Sequence, residues 1–156
     1  MTLHAIIAGL VHIALVGVGA WLLVIDARTH RLPNRIVLPT LGVLLVLVIV
    51  EAPATGDIAR LVRSLLGMLL LAGFYAVMRL ASRQGVGGGD VKLAAVIGLV
   101  LGWHGWQALV IGAASAFVLG ALYALALMAL RRADRSTRIA FGPWMIVGAV
   151  LGIAIG

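Results

Sequence analysis

Residues 106–130 read WQALVIGAASAFVLGALYALALMAL, twenty-five positions without a charged side chain. A helix crosses a hydrocarbon core about 30 Å thick with about 20 apolar residues, so this stretch predicts a transmembrane helix. Five more apolar segments stand out, at residues 4–25, 36–50, 58–80, 91–103 and 139–155. The second and fourth in chain order are short. The fourth draws on the glycine-rich stretch before it, or sits where the bilayer is thin. The fold expected is all-α: a polytopic membrane protein of about six transmembrane helices, in a single domain over residues 1–156.

Composition points the same way. Of 156 residues, 63% are hydrophobic and 11% charged, with a mean hydropathy of +1.19. A soluble domain carries about 25% charged residues, so neither a soluble globular domain nor a disordered chain fits. The net charge of +7 does not imply nucleic acid, because the basic residues sit between apolar runs. They read as membrane-flanking anchors. There is no cysteine, which excludes disulfides, thiol catalysis and Cys-based zinc sites. The first segment has no Lys or Arg before it and is long for a signal-peptide core. It reads as a retained first span.

The connections alternate in charge. The first holds Arg28, Arg31 and Arg35, the third Arg79, Arg83 and Lys92 at its edges, and the fifth Arg131, Arg132, Arg135 and Arg138. Only Arg60 and Arg63 lie elsewhere, at the start of the third segment beside Glu51 and Asp57. The positive-inside rule makes connections one, three and five cytoplasmic. Six spans satisfy the alternation, and both termini then face out. Trp21 and Trp144 fall near inner ends, Trp103 and Trp106 near an outer end, as headgroup-level rings do. Gly98/Gly102, Gly148/Gly152 and Gly152/Gly156 are spaced for close helix packing.

Five carboxylates are present. Glu51, Asp57 and Asp134 fall in predicted loops, whereas Asp26 closes the apolar run 21–25 and Asp90 opens the run 91–103. A carboxylate at the membrane boundary is costly and marks a functional site by default. The alternation puts both Asp26 and Asp90 at cytoplasmic helix ends. If the first and fourth segments are neighbours, the two form a dyad. Like charges a few Å apart cannot both ionise, so such a pair holds one proton. The charged member takes a proton from water while the neutral one hydrogen-bonds a scissile carbonyl. Such peptide hydrolysis needs no nucleophilic Ser or Cys and no metal.

The stretch Gly85-Val86-Gly87-Gly88-Gly89-Asp90 permits close approach of another backbone. A phosphate cradle is the weaker reading, since no Ser or Thr follows and Asp90 repels an anion. A hinge, a helix cap, or ion pairs to Arg28 or Lys92 are the plain alternatives. Pro33-Asn34 marks a turn into the second segment. His4, His12, His30 and His104 have no ligand spacing, so no metal site is expected.

Three elements in order, RTHRLPNRIVLP at 28–39, GGGDVKLAAVIGLVLGW at 87–103 and FGPW at 141–144, resemble the type IV prepilin peptidases. These are GxGD-type intramembrane aspartic peptidases. The resemblance covers essentially the whole chain. It implies Asp26 and Asp90 as the catalytic pair, Gly87 and Gly89 as shapers of the site backbone, and Lys92 as a recurring basic position. It further implies cleavage of a short basic leader from prepilin-like precursors at the cytoplasmic face of the inner membrane. The partners are then the precursor peptide and membrane lipids, with no cofactor, metal or nucleic acid. Longer members carry a further region, often with four cysteines, associated with N-methylation. The expectation here is the short peptidase-only form, without N-methyltransferase activity. The alternatives are a small proton-coupled transporter subunit, since intramembrane carboxylates also relay protons, and a non-catalytic pilus-assembly scaffold. Which pilin, pseudopilin or flagellin is cut, and the oligomeric state, stay open.

Overall fold

The computed structural model describes residues 34–81, 87–130 and 141–156. Five helices follow one another among them: α1 (Asn34–Thr55), α2 (Ile58–Ala81), α3 (Gly88–His104), α4 (Trp106–Ala129) and α5 (Gly142–Ile155). They correspond to the second through sixth apolar segments. The first segment, with Trp21 and Asp26, the cluster Arg28 and Arg31, and Asp134 with its neighbouring arginines lie outside the described residues.

α2 and α4 are each 24 residues long and apolar enough to cross a membrane. Their outer faces expose Leu69, Leu70 and Val77 on α2, and Val110, Val118 and Leu125 on α4. Soluble monomers seldom expose apolar area on this scale; hydrocarbon tolerates it.

The second helix of the sequence reading ends too early. Glu51, expected in a loop, is within α1. Loss of hydropathy at Glu51 is not a stop signal, because Glu and Ala are good helix formers. The stop is Gly56, with φ 70°. The Asp57 N–H then reaches back to the Ala52 carbonyl oxygen at 3.0 Å, the long bond of a Schellman ending. Asp57, expected in a loop, does lie between α1 and α2 and caps α2. Its Oδ1 accepts the Arg60 backbone N–H at 3.0 Å, as an N-cap aspartate does.

α3 is the centre of the bundle and touches all four other helices. Leu93, Ala94, Val96, Ile97, Leu99 and Leu101 are all buried, as an all-round apolar helix requires. It begins at Gly88, so the glycine-rich stretch does contribute to it. α3 packs most closely on α2, and α5 on α4. Glycines set both contacts. A Cβ on Gly98 would run into the Gly67 backbone, and one on Gly102 into that of Arg63 and Ser64. On the other pair, Gly148 and Gly152 meet Gly112 and its α4 neighbours, and Gly156 meets Ala108. The small-residue spacing is therefore used for packing, as expected. Its partners Gly67 and Gly112 do not stand out from sequence spacing.

These contacts make α2/α3 and α4/α5 antiparallel. The tight turn at Gly56–Asp57 turns the chain from α1 into α2, and Val37, Leu44, Val48 and Ala52 bury one face along α1. The starts of α1, α3 and α5 and the ends of α2 and α4 thus share one end of the bundle.

Candidate active site

That shared end holds Asp90. It is the third residue of α3, and its Oδ2 accepts the Gly87 backbone N–H at 2.9 Å. The bond satisfies one of the donors that a helix start leaves open. It is half of a capping box; the reciprocal half needs a side chain on the N-cap residue, and Gly87 has none. A Cβ there would stand 3.2 Å from the Asp90 Oδ2, so glycine leaves room for the carboxylate. The backbone at Gly87 and the carboxylate at Asp90 are one local unit.

α2 forms the facing wall. Ser64 hydrogen-bonds Leu99, Gly67 abuts Gly98, and the Arg79 guanidinium lies where a Cβ on Gly88 would sit. This antiparallel register sets Tyr75 opposite Asp90 and Val91. Tyr75 is 2% exposed and within electrostatic reach of Asp90. Its ring stacks on Phe117 of α4 at 5.7 Å and leans on Phe141 at 6.0 Å. Phe117 and Phe141 are themselves 5.2 Å apart, and Phe74 meets Tyr75 and Phe117 edge-on.

This cluster explains the FGP element physically. Pro143 lies in the first turn of α5, where its fixed φ suits a helix start and its missing N–H costs nothing. Phe141 then reaches back to Tyr75 and crowds Gly120, where a Cβ would meet its ring. Trp144, expected at a headgroup level, packs on Tyr123 at 4.9 Å.

Of the residues singled out from sequence, Gly89, Asp90 and Lys92 lie together in the first turns of α3, with Gly87 as its N-cap. Lys92 is half-buried and engaged by a polar or electrostatic interaction. Asp26 is outside the described residues. Tyr75 and Arg79 were not singled out as site residues. A signal for Tyr75 existed: Ser64, Gly67, Leu71 and Tyr75 recur at helical spacing and are the buried face of α2.

The opposite end is built for structure. Arg63 Nε donates to the Gly102 carbonyl at 2.8 Å and its Nη2 to that of Trp103 at 3.2 Å. A cation thus caps the last carbonyls of α3, which the helix leaves open. Arg60 pairs with Asp57 at 2.8 Å and lies 5.9 Å from the Trp103 ring centroid. The two arginines outside the charge alternation therefore have local partners.

The described residues form an α-helical bundle with Asp90 and its Gly87 cap at one helix start, and comparison with known proteins gives the family. The chain belongs to the type IV leader peptidase family, whose model matches residues 13–125. It is 33% identical over 141 residues to a prepilin leader peptidase/N-methyltransferase of Dickeya chrysanthemi, covering 89% of this chain and 48% of that protein. A protein of the same description from Escherichia coli K12 is 33% identical over 136 residues, covering 83% and 56%. One from Pseudomonas aeruginosa is 31% identical over 137 residues, covering 85% and 44%. The chain thus spans about half the length of the curated relatives it matches. No solved structure matches it.

Proposed function

We propose that this chain is an intramembrane aspartic endopeptidase that removes the short basic leader from type IV prepilin-like precursors. Asp26 and Asp90 form the dyad, at the cytoplasmic face of the inner membrane, in a six-span bundle with both termini outside. Family membership supports the substrate class. The carrying observation is that α1 and α3 start at one end of the bundle. Asp26 and Asn34 are eight positions apart, and such a stretch spans at most about 28 Å. A helix as long as α1 is about 33 Å. This short connection supports the reading that Asp26 lies at the end that holds Asp90.

The chemistry follows from a shared proton. The ionised carboxylate takes a proton from a water molecule as the water oxygen attacks the scissile carbonyl carbon. The neutral carboxyl hydrogen-bonds the carbonyl oxygen as charge develops there. Collapse of the intermediate breaks the C–N bond, and the leaving amine takes the proton. Gly87 carries no side chain, which supports the reading that an extended substrate backbone approaches there. The proposal covers the peptidase activity and not the methyl transfer named for the relatives.

The test is incubation of the purified chain, in lipid vesicles, with a prepilin-like precursor, read by mass spectrometry. Cleavage just before the hydrophobic stem is expected. Proton flux across the vesicles with the precursor intact would instead support the transporter reading.

A further inference from the structure

The aromatic cluster contains one polar atom that packing does not explain. All three phenylalanines of the chain surround Tyr75, and a fourth would fill the same volume. Among the described residues, none hydrogen-bonds the Tyr75 hydroxyl, although Tyr75 is 2% exposed. A buried hydroxyl without a partner opposes folding, and such groups in native structures call for a functional explanation. Ser64, on the same face of α2 three turns away, shows the contrast. Its buried hydroxyl is satisfied at 2.6 Å by Leu99, so this helix pair can partner a hydroxyl where only structure is at stake.

The register places this hydroxyl beside Asp90. Ser64 faces Leu99, Gly67 faces Gly98 and Arg79 faces Gly88, so Tyr75 falls between the last two pairs, level with Asp90. Phe117 and Phe141 hold its ring from the other side. A phenol has one O–H to give, and among the described residues Asp90 is the carboxylate level with it.

We propose that Tyr75 is a positioning residue for Asp90: its buried hydroxyl is the donor that orients the carboxylate during turnover. This rests on Asp90 being a catalytic acid, as proposed above. Gly87 holds one oxygen from the helix side, and Tyr75 steadies the carboxylate from the α2 side. The FGP element acts through it, since Phe141 braces the ring.

Tyr75→Phe keeps the ring and deletes only the hydroxyl. The full chain, in vesicles with the precursor, is compared as wild type, Tyr75→Phe and Asp90→Asn for kcat, KM and thermal midpoint. The expected result is a kcat lowered about tenfold, the range of one lost hydrogen bond in the transition state. KM is unchanged, and the midpoint is equal or higher because a buried hydroxyl without a partner among the described residues has left the core. An unchanged kcat, a changed KM alone, or a Tyr75→Phe protein that is less stable or fails to fold would overturn the proposal. Asp90→Asn separates the layers. If it is inactive while Tyr75→Phe matches wild type, only the Tyr75 role fails; if it cleaves normally, the dyad itself fails.

Discussion

The Ser64 hydroxyl donates to the Leu99 carbonyl oxygen at 2.6 Å, and Ser64 has no exposed surface. This bond and the adjoining glycine contacts clamp α2 to α3. The same clamp fixes which residues of α2 stand opposite Asp90. Stability and site geometry are therefore set by one helix pair.

Removing the bond tests the clamp. Ser64→Ala leaves Leu99 with only a helical partner and is expected to destabilise the chain by about 0.5–1.5 kcal/mol. Reversible unfolding in detergent micelles measures it. A fully neutral substitution would show that the glycine contacts alone hold the pair.

The glycine contacts predict a graded effect. A methyl group at Gly98 meets the Gly67 backbone, while one at Gly73 meets nothing within 4 Å. Gly98→Ala is expected to cost about 1–3 kcal/mol through overpacking. Gly73→Ala should be neutral or stabilising by up to about 1 kcal/mol, from helix propensity. Equal midpoints for the two variants would contradict the contact geometry.

Arg63 separates capping from topology. Its guanidinium bonds two carbonyls at once, which a lysine ammonium on its flexible stem does not reproduce. Arg63→Lys keeps the charge, so a residue needed only for orientation would tolerate it. Capping predicts a loss of about 1 kcal/mol in the same unfolding assay, with orientation in the membrane unchanged.

Much of this arrangement was legible in the residues, and the gaps have physical causes. Asp90 and Gly87 declared themselves because a carboxylate opening an apolar helix after four glycines is rare on energetic grounds. The ends of α2 through α5 followed from hydropathy, since glycine or charge coincides with them. The end of α1 did not. Hydropathy falls at Glu51, but backbone geometry ends the helix only at Gly56. Tyr75 stayed hidden because a single tyrosine in an apolar run resembles packing. Its meaning depends on a register against α3 that spacing along one helix cannot supply. Arg63 reads in the sequence only as an exception to the charge pattern, since its partners Gly102 and Trp103 lie about forty residues away.

The dyad itself is tested most directly by replacing each acid in turn. Asp26→Asn and Asp90→Asn remove one ionisable proton site each with almost no change in shape. The measurement is the precursor fraction cleaved by each membrane-inserted variant, read by mass spectrometry beside wild type. The account predicts that both variants insert normally and that neither cleaves. Normal processing by either one contradicts it.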